Sequence, residues 1–544
     1  MISKGLFYWA GGVLLSFFLA GCDSKFLEQI PLFRKLEPKM SNPIIIITHT
    51  SAPTSLDPLL ADNWNNMIVS KMLFATPIDV GASGQFQSLV LEKFGYDPNN
   101  LEIFFEVKPG LKFSDGSPLT VFDICLSILR FARAHPDFPV VKEIFGLTKW
   151  IKNLETQKSK KFLFVEKAVP EGFTIKDQTL KIKLSSPVEN PLFRFGLEVF
   201  GIIPSKFVNW ETNELLGAQP PSSGPYRLTT PLDGPNLKFE KRPDFFDSNK
   251  GHFPKEIEFT YFSPRGLSNL IQKGLPKSTV VLANEQDFLP EELEHFNSAN
   301  ALTLRPFQST YYSLFILNPK VKPFDLISSR QKFSQKFRMA FARRFAQKYS
   351  PEGSLFTRDL PGFVSLEELN GQLADFSNSK LSENEIPTWG FVEGQSSSIV
   401  EQTFKEIYKD ADLKVRNPPK IFRSRGEMFQ AFEKGEIQIF FSYSGFWVHD
   451  PIGDVKMLLT PGFHPILQPL TSLKLTQELV KDLDSKNRSD ALKKLNEHIF
   501  RQSILNPYAH QRPFLIGSNE NRAINSAVMG FNSTPPWQYF PTDN

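Results

Sequence analysis

The residues best placed for chemistry are three histidines and two polar turns at the ends of apolar runs. His49, His449 and His510 each fall near the end of such a run. Three neutral imidazoles brought together would make a site for a transition metal, whereas histidines at strand ends also serve as plain hydrogen-bonding groups. The other histidines of the eight are scattered. There is no His-Glu-x-x-His pair, no cysteine pair for zinc, no phosphate-binding glycine loop and no Gly-x-Ser-x-Gly elbow. The expectation is therefore a chain that catalyses nothing and carries no cofactor or resident metal. Binding chemistry remains. Tyr443, Ser444, Gly445, Phe446 and Trp447 alternate small and aromatic side chains where an apolar run stops, as suits a surface closing on a ligand, and Asp450 follows before Pro451. Ser51, Ala52, Pro53 and Thr54 put small and φ-restricted residues just beyond the isoleucines at 44–47.

The elements that must position these residues read as a mixed α/β protein. The run 44–47 is apolar on both faces, as a central strand covered on both sides must be, and the ends of such strands are common ligand sites. Residues 101–107 read as a strand, Pro109-Gly110 as a turn and 111–113 as the returning strand; 257–261 alternates as a strand should. Thr120 and Asp123 form a capping pair, each satisfying a backbone N–H at the start of a helix. That helix carries Val121, Ile124, Cys125, Ile128, Leu129 and Ala132 on one face, so Cys125 is a core thiol and not a nucleophile. Ser398 with Glu401 opens a second amphipathic helix, and Leu492, Leu495 and Ile499 mark a third over 490–502. Residues 350–386 show little periodicity.

At 544 residues the chain is too long for one core and should divide into two or three units. Its 53 phenylalanines predict aromatic-rich cores. A net charge of +4 from 62 basic and 58 acidic side chains implies no general attraction to nucleic acid. Lys4 precedes an apolar run over 5–20 that is short for a membrane span, the pattern of a signal peptide over 1–21. Leu19-Ala20-Gly21-Cys22 resembles the bacterial lipobox, which implies cleavage before Cys22 and lipid on its thiol; the plainer reading is an uncleaved helix with a chance cysteine. Residues 22–41 then read as a tether, and a lipidated Cys22 leaves Cys125 no disulfide partner.

A series of ordered motifs resembles the family 5 extracellular solute-binding proteins, the peptide receptors of ABC importers. They are Pro53-Thr-Ser-Leu-Asp-Pro58; the Lys112-Phe-Ser-Asp-Gly-Ser-Pro-Leu-Thr120 segment with Asp123; Ser222-Ser-Gly-Pro-Tyr226 with Arg242-Pro-Asp-Phe245; Tyr311-Tyr312 running to Asn318, then Pro323-Phe-Asp325 and the helix around Arg338 to Arg343; the run ending at Asp450-Pro451; and Pro507-Tyr-Ala-His510. The resemblance implies a two-lobed periplasmic-binding-protein-like fold with two interlobe crossings. The first lobe would take 42–305 plus 511–544, with an inserted subdomain at about 74–190, and the second 306–510. It further implies a monomeric lipoprotein outside the cytoplasmic membrane that captures a small ligand, a peptide foremost, and hands it to ABC permease subunits. Ser51, Ala52, Pro53, Thr54, Tyr443, Ser444, Gly445, Phe446, Trp447, Asp450 and His510 would be its ligand contacts. One departure matters. Peptide receptors of the family place an aspartate four residues before the proline of the second-lobe turn to pair with the peptide ammonium, and here that position is Trp447. Asp450 would supply the carboxylate only if the loop is shorter than usual. A receptor for a non-peptide ligand such as a metal chelate, and a structural lipoprotein without a transport role, are the alternatives.

Overall fold

The computed structural model describes residues 44–518 apart from 49–52, 54, 157–168, 246–253, 307–310, 346–350, 446–450, 511–512 and further stretches of one to five residues. Strand Ile44–Thr48 lies in the middle of a seven-stranded sheet, parallel to Glu256–Tyr261 on one side and Thr279–Asn284 on the other. Beyond the first neighbour lie Asn236–Lys241 and Tyr226–Leu228, and beyond the second lie Pro513–Ser518 and Leu302–Pro306, all antiparallel. The central place accounts for the unbroken isoleucines, since such a strand has no solvent face. Helix Trp64–Leu73 covers this sheet, packing Ile68, Val69 and Met72 on Leu237, Phe239, Phe259 and Leu282.

A four-stranded antiparallel sheet is made of Leu91–Asp97, Glu102–Val107, Thr179–Lys183 and Phe173–Lys176. Its alternating side chains Ile103, Phe105, Leu180 and Ile182 bury against helix Val121–Ala134 through Ile124, Cys125 and Ile128. Cys125 is fully buried, which holds its thiol far above its ordinary range and leaves no thiolate at neutral pH. One local expectation needs correction. Residues 111–113 do not pair back on 102–107, whose partners are 91–97 and 179–183; they close on 117–119 through a single Lys112–Pro118 bridge. The capping pair is present as expected, and the Asp123 carboxylate accepts from the Thr120 hydroxyl as well as from the Thr120 N–H, both at 2.9 Å.

A three-stranded antiparallel sheet places Tyr311–Leu317 between Ile439–Gly445 and Leu505–His510. Along its central strand Tyr312, Leu314 and Ile316 face one core, shared with Leu492, Leu495 and Ile499 of helix Arg488–Gln502, while Phe315 and Leu317 face the other. That second core is the aromatic one. Helices Ile327–Phe345 and Ser398–Asp410 deliver Phe333, Phe337, Phe341 and Phe404 to it, and Trp389 stacks on Phe404 with centroids 4.7 Å apart.

The seven-stranded and three-stranded sheets are joined by the same two passages of chain. Residues 302–306 pair with 514–518 in the seven-stranded sheet, and after 307–310 and 511–512 the same two runs pair again as Tyr312 with His510.

Candidate functional site

The turn after the central strand is held by charge. Asp57 caps the short helical turn Pro58–Leu60 by accepting from the Leu59 N–H at 2.9 Å, and Arg130 grips the same carboxylate with two bonds of 2.7 and 2.6 Å. Pro53 is buried. A second knot joins three of the sequence motifs. Gly224 lies against the backbone of Met72 and Leu73, where a Cβ would sit 2.8 Å from the Met72 carbonyl oxygen, so this close approach requires glycine. Buried Arg242 donates to the carbonyls of Ser222, Gly224 and Lys112 at 2.8, 3.1 and 2.7 Å and pairs with Asp244 at 2.9 Å. These motifs are framework.

The end of the three-stranded sheet nearest the two passages gathers chemistry. Tyr311 pairs with Gly445, and Tyr312 with His510, so strand ends from three parts of the chain meet there. Pro351 bridges to Ala509 and the Glu352 N–H donates to the Tyr508 carbonyl at 3.0 Å, laying a short segment along the outer edge of strand Leu505–His510. Arg338, fully buried, fastens that segment: its Nε donates to the carbonyls of Glu352 at 3.1 Å and Pro507 at 3.0 Å, and its guanidinium lies over the Phe500 ring. Burial draws Arg338 down to about 9, so it remains a cation at neutral pH. The Glu352 carboxylate is 5% exposed and lies 3.6 Å from Nδ1 of His510, which is 22% exposed. Burial pushes Glu352 up to about 7, with Arg358 opposing the shift.

Helix Pro451–Leu458 follows the strand that ends at Gly445. Val455 and Leu458 sit in the core beneath the three-stranded sheet, while Met457 packs on the core of the four-stranded sheet. Between them Asp454 accepts from Arg194 of helix Pro191–Arg194 at 2.6 Å, with the side chains 3% and 1% exposed. This is a buried ion pair between segments 260 residues apart.

Of the ligand contacts expected from sequence, His510 and Pro53 have described surroundings. Tyr443, Ser444 and Gly445 are placed as strand, without their side chains. Ser51, Ala52, Thr54, Phe446, Trp447 and Asp450 lie outside the described residues, as do His49, His449 and Cys22. The three-histidine site is thus untested; among the described residues no group of three or more potential ligands could hold a metal ion. Among the described residues, too, no helix is long and apolar enough to cross a membrane. Sequence reasoning missed Arg194, Arg338, Glu352 and Asp454. The available signal was a charge on an apolar stripe: Asp454 precedes the buried Val455 and Leu458, and Arg194 stands in Leu-Phe-Arg-Phe.

The sequence profile described as bacterial extracellular solute-binding proteins, family 5 middle, matches residues 56–342. The chain belongs to this family. This family 5 protein is 23% identical over 291 residues to the oligopeptide-binding protein OppA of Bacillus subtilis, a match covering 51% of the chain and 50% of that relative. The chain thus spans about half the length of that relative, and a quarter of the uncharacterized protein YejA of Escherichia coli, to which it is 27% identical over 185 residues. Its structure superposes on a periplasmic oligopeptide-binding protein from Borrelia burgdorferi with a TM-score of 0.70 at 16% identity, over 88% of this chain and 96% of that one. It also matches the binding protein AgaA of A. tumefaciens, solved with agropinic acid, with a TM-score of 0.68 at 14% identity, over 92% and 98%. The fold of this family 5 protein is accordingly the two-lobed one.

Proposed function

We propose that this protein captures a small solute, a peptide foremost, between its two lobes and delivers it to an ABC permease, without catalysing a reaction. The lobes would be 42–305 plus 511–544, with the subdomain at 74–190 inserted in the first, and 306–510. The observation that supports this most is that residues 302–306 pair with 514–518 in one sheet and Tyr312 pairs with His510 in another, so the chain crosses twice between the same two sheets, and a double crossing can serve as a hinge. Agropinic acid on AgaA shows that the same fold also accommodates a non-peptide ligand, which keeps that alternative in view.

A tryptic digest of casein offered to the purified chain tests the reading. Peptides retained in native mass spectrometry, a higher melting temperature and a smaller radius of gyration in small-angle scattering are expected together. Retention without contraction would refute lobe closure, and no retention would favour a non-peptide ligand or a structural role. Anchorage through Cys22 is tested separately: Cys22→Ser should accumulate as unprocessed precursor without incorporated palmitate, and equal labelling of the two proteins would refute it.

A further inference from the structure

Helices Ile327–Phe345 and Ser398–Asp410 meet the turn over 375–381 around a pocket of about 210 Å³, none of whose lining residues is among those expected to contact the solute. Three cations line it, Lys336, Arg343 and Lys380, against a single carboxylate, Asp410. Arg343 and Asp410 bond to each other and cancel in charge. Two ammonium groups are left over. Lys336 is 9% exposed, and of its three N–H donors one goes to the Ser377 carbonyl at 2.7 Å, while the others meet no acceptor among the described residues. Burial lowers this lysine from its ordinary value, as expected of a cation held partly out of water. The nearby acids do not complete it: Asp410 is committed to Arg343, and the exposed Asp375 to the Ser377 N–H at 2.8 Å. Lys380 is exposed at the rim, with no ion pair among the described residues. The helix end beside them does not supply the missing charge either. Its last carbonyls, at Ile407, Tyr408 and Lys409, already accept from the N–H groups of Ala411, Leu413 and Asp412 at 3.0, 3.0 and 3.2 Å.

We propose that this pocket is a further binding site, for a small oxyanion, a phosphate group foremost, held by Lys336 and Lys380 with the Asn378 side chain as a neutral donor. Ammonium groups act as point charges, which suits a tetrahedral anion. The planar fork that matches a carboxylate belongs here to Arg343, and Asp410 occupies it. A bound phosphate would engage the remaining Lys336 donors and tie helix Ile327–Phe345 to the turn over 375–381. Free phosphate and a phospholipid headgroup present the same chemistry, and the exposed Asn378 and Lys380 leave the pocket open to either. The inference is independent of solute capture.

Isothermal titration of the full chain with inorganic phosphate, at constant ionic strength set by sodium chloride, should give saturable binding. Lys336→Met, close in length, and Lys380→Glu, at an exposed position, should each weaken it about tenfold or more, the loss of a charge-assisted hydrogen bond. Lys474→Glu on helix Lys474–Asp482, where the side chain is 90% exposed, should bind phosphate as the unmodified protein does. Phosphatidylcholine vesicles containing phosphatidic acid distinguish the source. Sedimentation with them that Lys380→Glu reduces assigns the site to a headgroup, and phosphate binding without that difference assigns it to the free anion. Absence of saturable phosphate binding would overturn the site. An equal loss for Lys474→Glu would show a general attraction to charge and overturn it too, as would unchanged affinity in Lys380→Glu, which decides alone if Lys336→Met does not fold.

Discussion

Replacing Asp454 by alanine is expected to destabilise the protein through the buried pair with Arg194. The two side chains are 3% and 1% exposed and 2.6 Å apart, so water cannot solvate the guanidinium once its carboxylate is gone. At an effective dielectric of about 20 the lost attraction is about 4 kcal/mol at a charge separation of about 4 Å, and breaking one side of a buried pair typically costs about 3–5 kcal/mol. Unfolding entropy of about 2.1 cal/mol/K per residue makes each kcal/mol worth about 1 °C in a chain of this length, so the melting temperature should fall by about 3–4 °C. Loss confined to one lobe would give a larger shift. The double replacement Arg194→Met with Asp454→Leu removes both charges and fills the space with apolar atoms, and should recover most of that loss. Differential scanning calorimetry on the ligand-free chain, with both single variants and the double, closes the cycle. Because helix Pro451–Leu458 reaches two cores, Asp454→Ala should also raise the radius of gyration. A shift under about 0.5 °C, or a double variant no better than the singles, would refute the reasoning.

Glu352 makes stability depend on pH. Its folded-state pKa of about 7 lies above the ordinary carboxylate value, so between about 4.5 and 7 the folded state holds the proton that the unfolded state releases, and stability falls as pH rises through that window. Glu352→Gln should match the unmodified protein near pH 4 and exceed it at pH 8 by on the order of 1–3 kcal/mol, measured by urea unfolding at both values. Gly224→Ala should cost about 1–3 kcal/mol, because its Cβ would meet main-chain atoms of Met72 and Leu73 that cannot rotate away; an unchanged denaturation midpoint would show that the backbone shifts freely. For the segment before Pro451, Trp447→Ala should weaken binding of the retained peptide by about thirtyfold, the effect of truncating an aromatic anchor. In calorimetry, a large loss for Asp450→Asn with none for Trp447→Ala would assign the ligand contact to the carboxylate instead.

Much of the framework is legible in the sequence because it is governed by local rules. The isoleucines of 44–47 require cover on both faces, and the strand is central. The spacing of Ile124, Cys125 and Ile128 specifies one helical face, and that face is buried. Ordered motifs such as Ser222 to Tyr226 and Arg242 to Phe245 mark the family, yet only the fold explains them. Arg242 joins carbonyls more than a hundred residues apart, and Gly224 is required by a helix end that no local pattern announces. The candidate site divides along the same line. His510 is apparent as a polar residue closing an apolar strand, a property of its own neighbourhood. Glu352 looks in sequence like an ordinary solvated acid, and Asp454 is marked only by the apolar Val455 and Leu458 that follow it. What distinguishes them is desolvation and the presence or absence of a donor, and these depend on which distant segment packs against them: Arg194 reaches Asp454, whereas among the described residues no donor reaches Glu352. Periodicity determines which face of an element is buried, but a charge acquires its meaning from partners brought together only when the whole chain has folded.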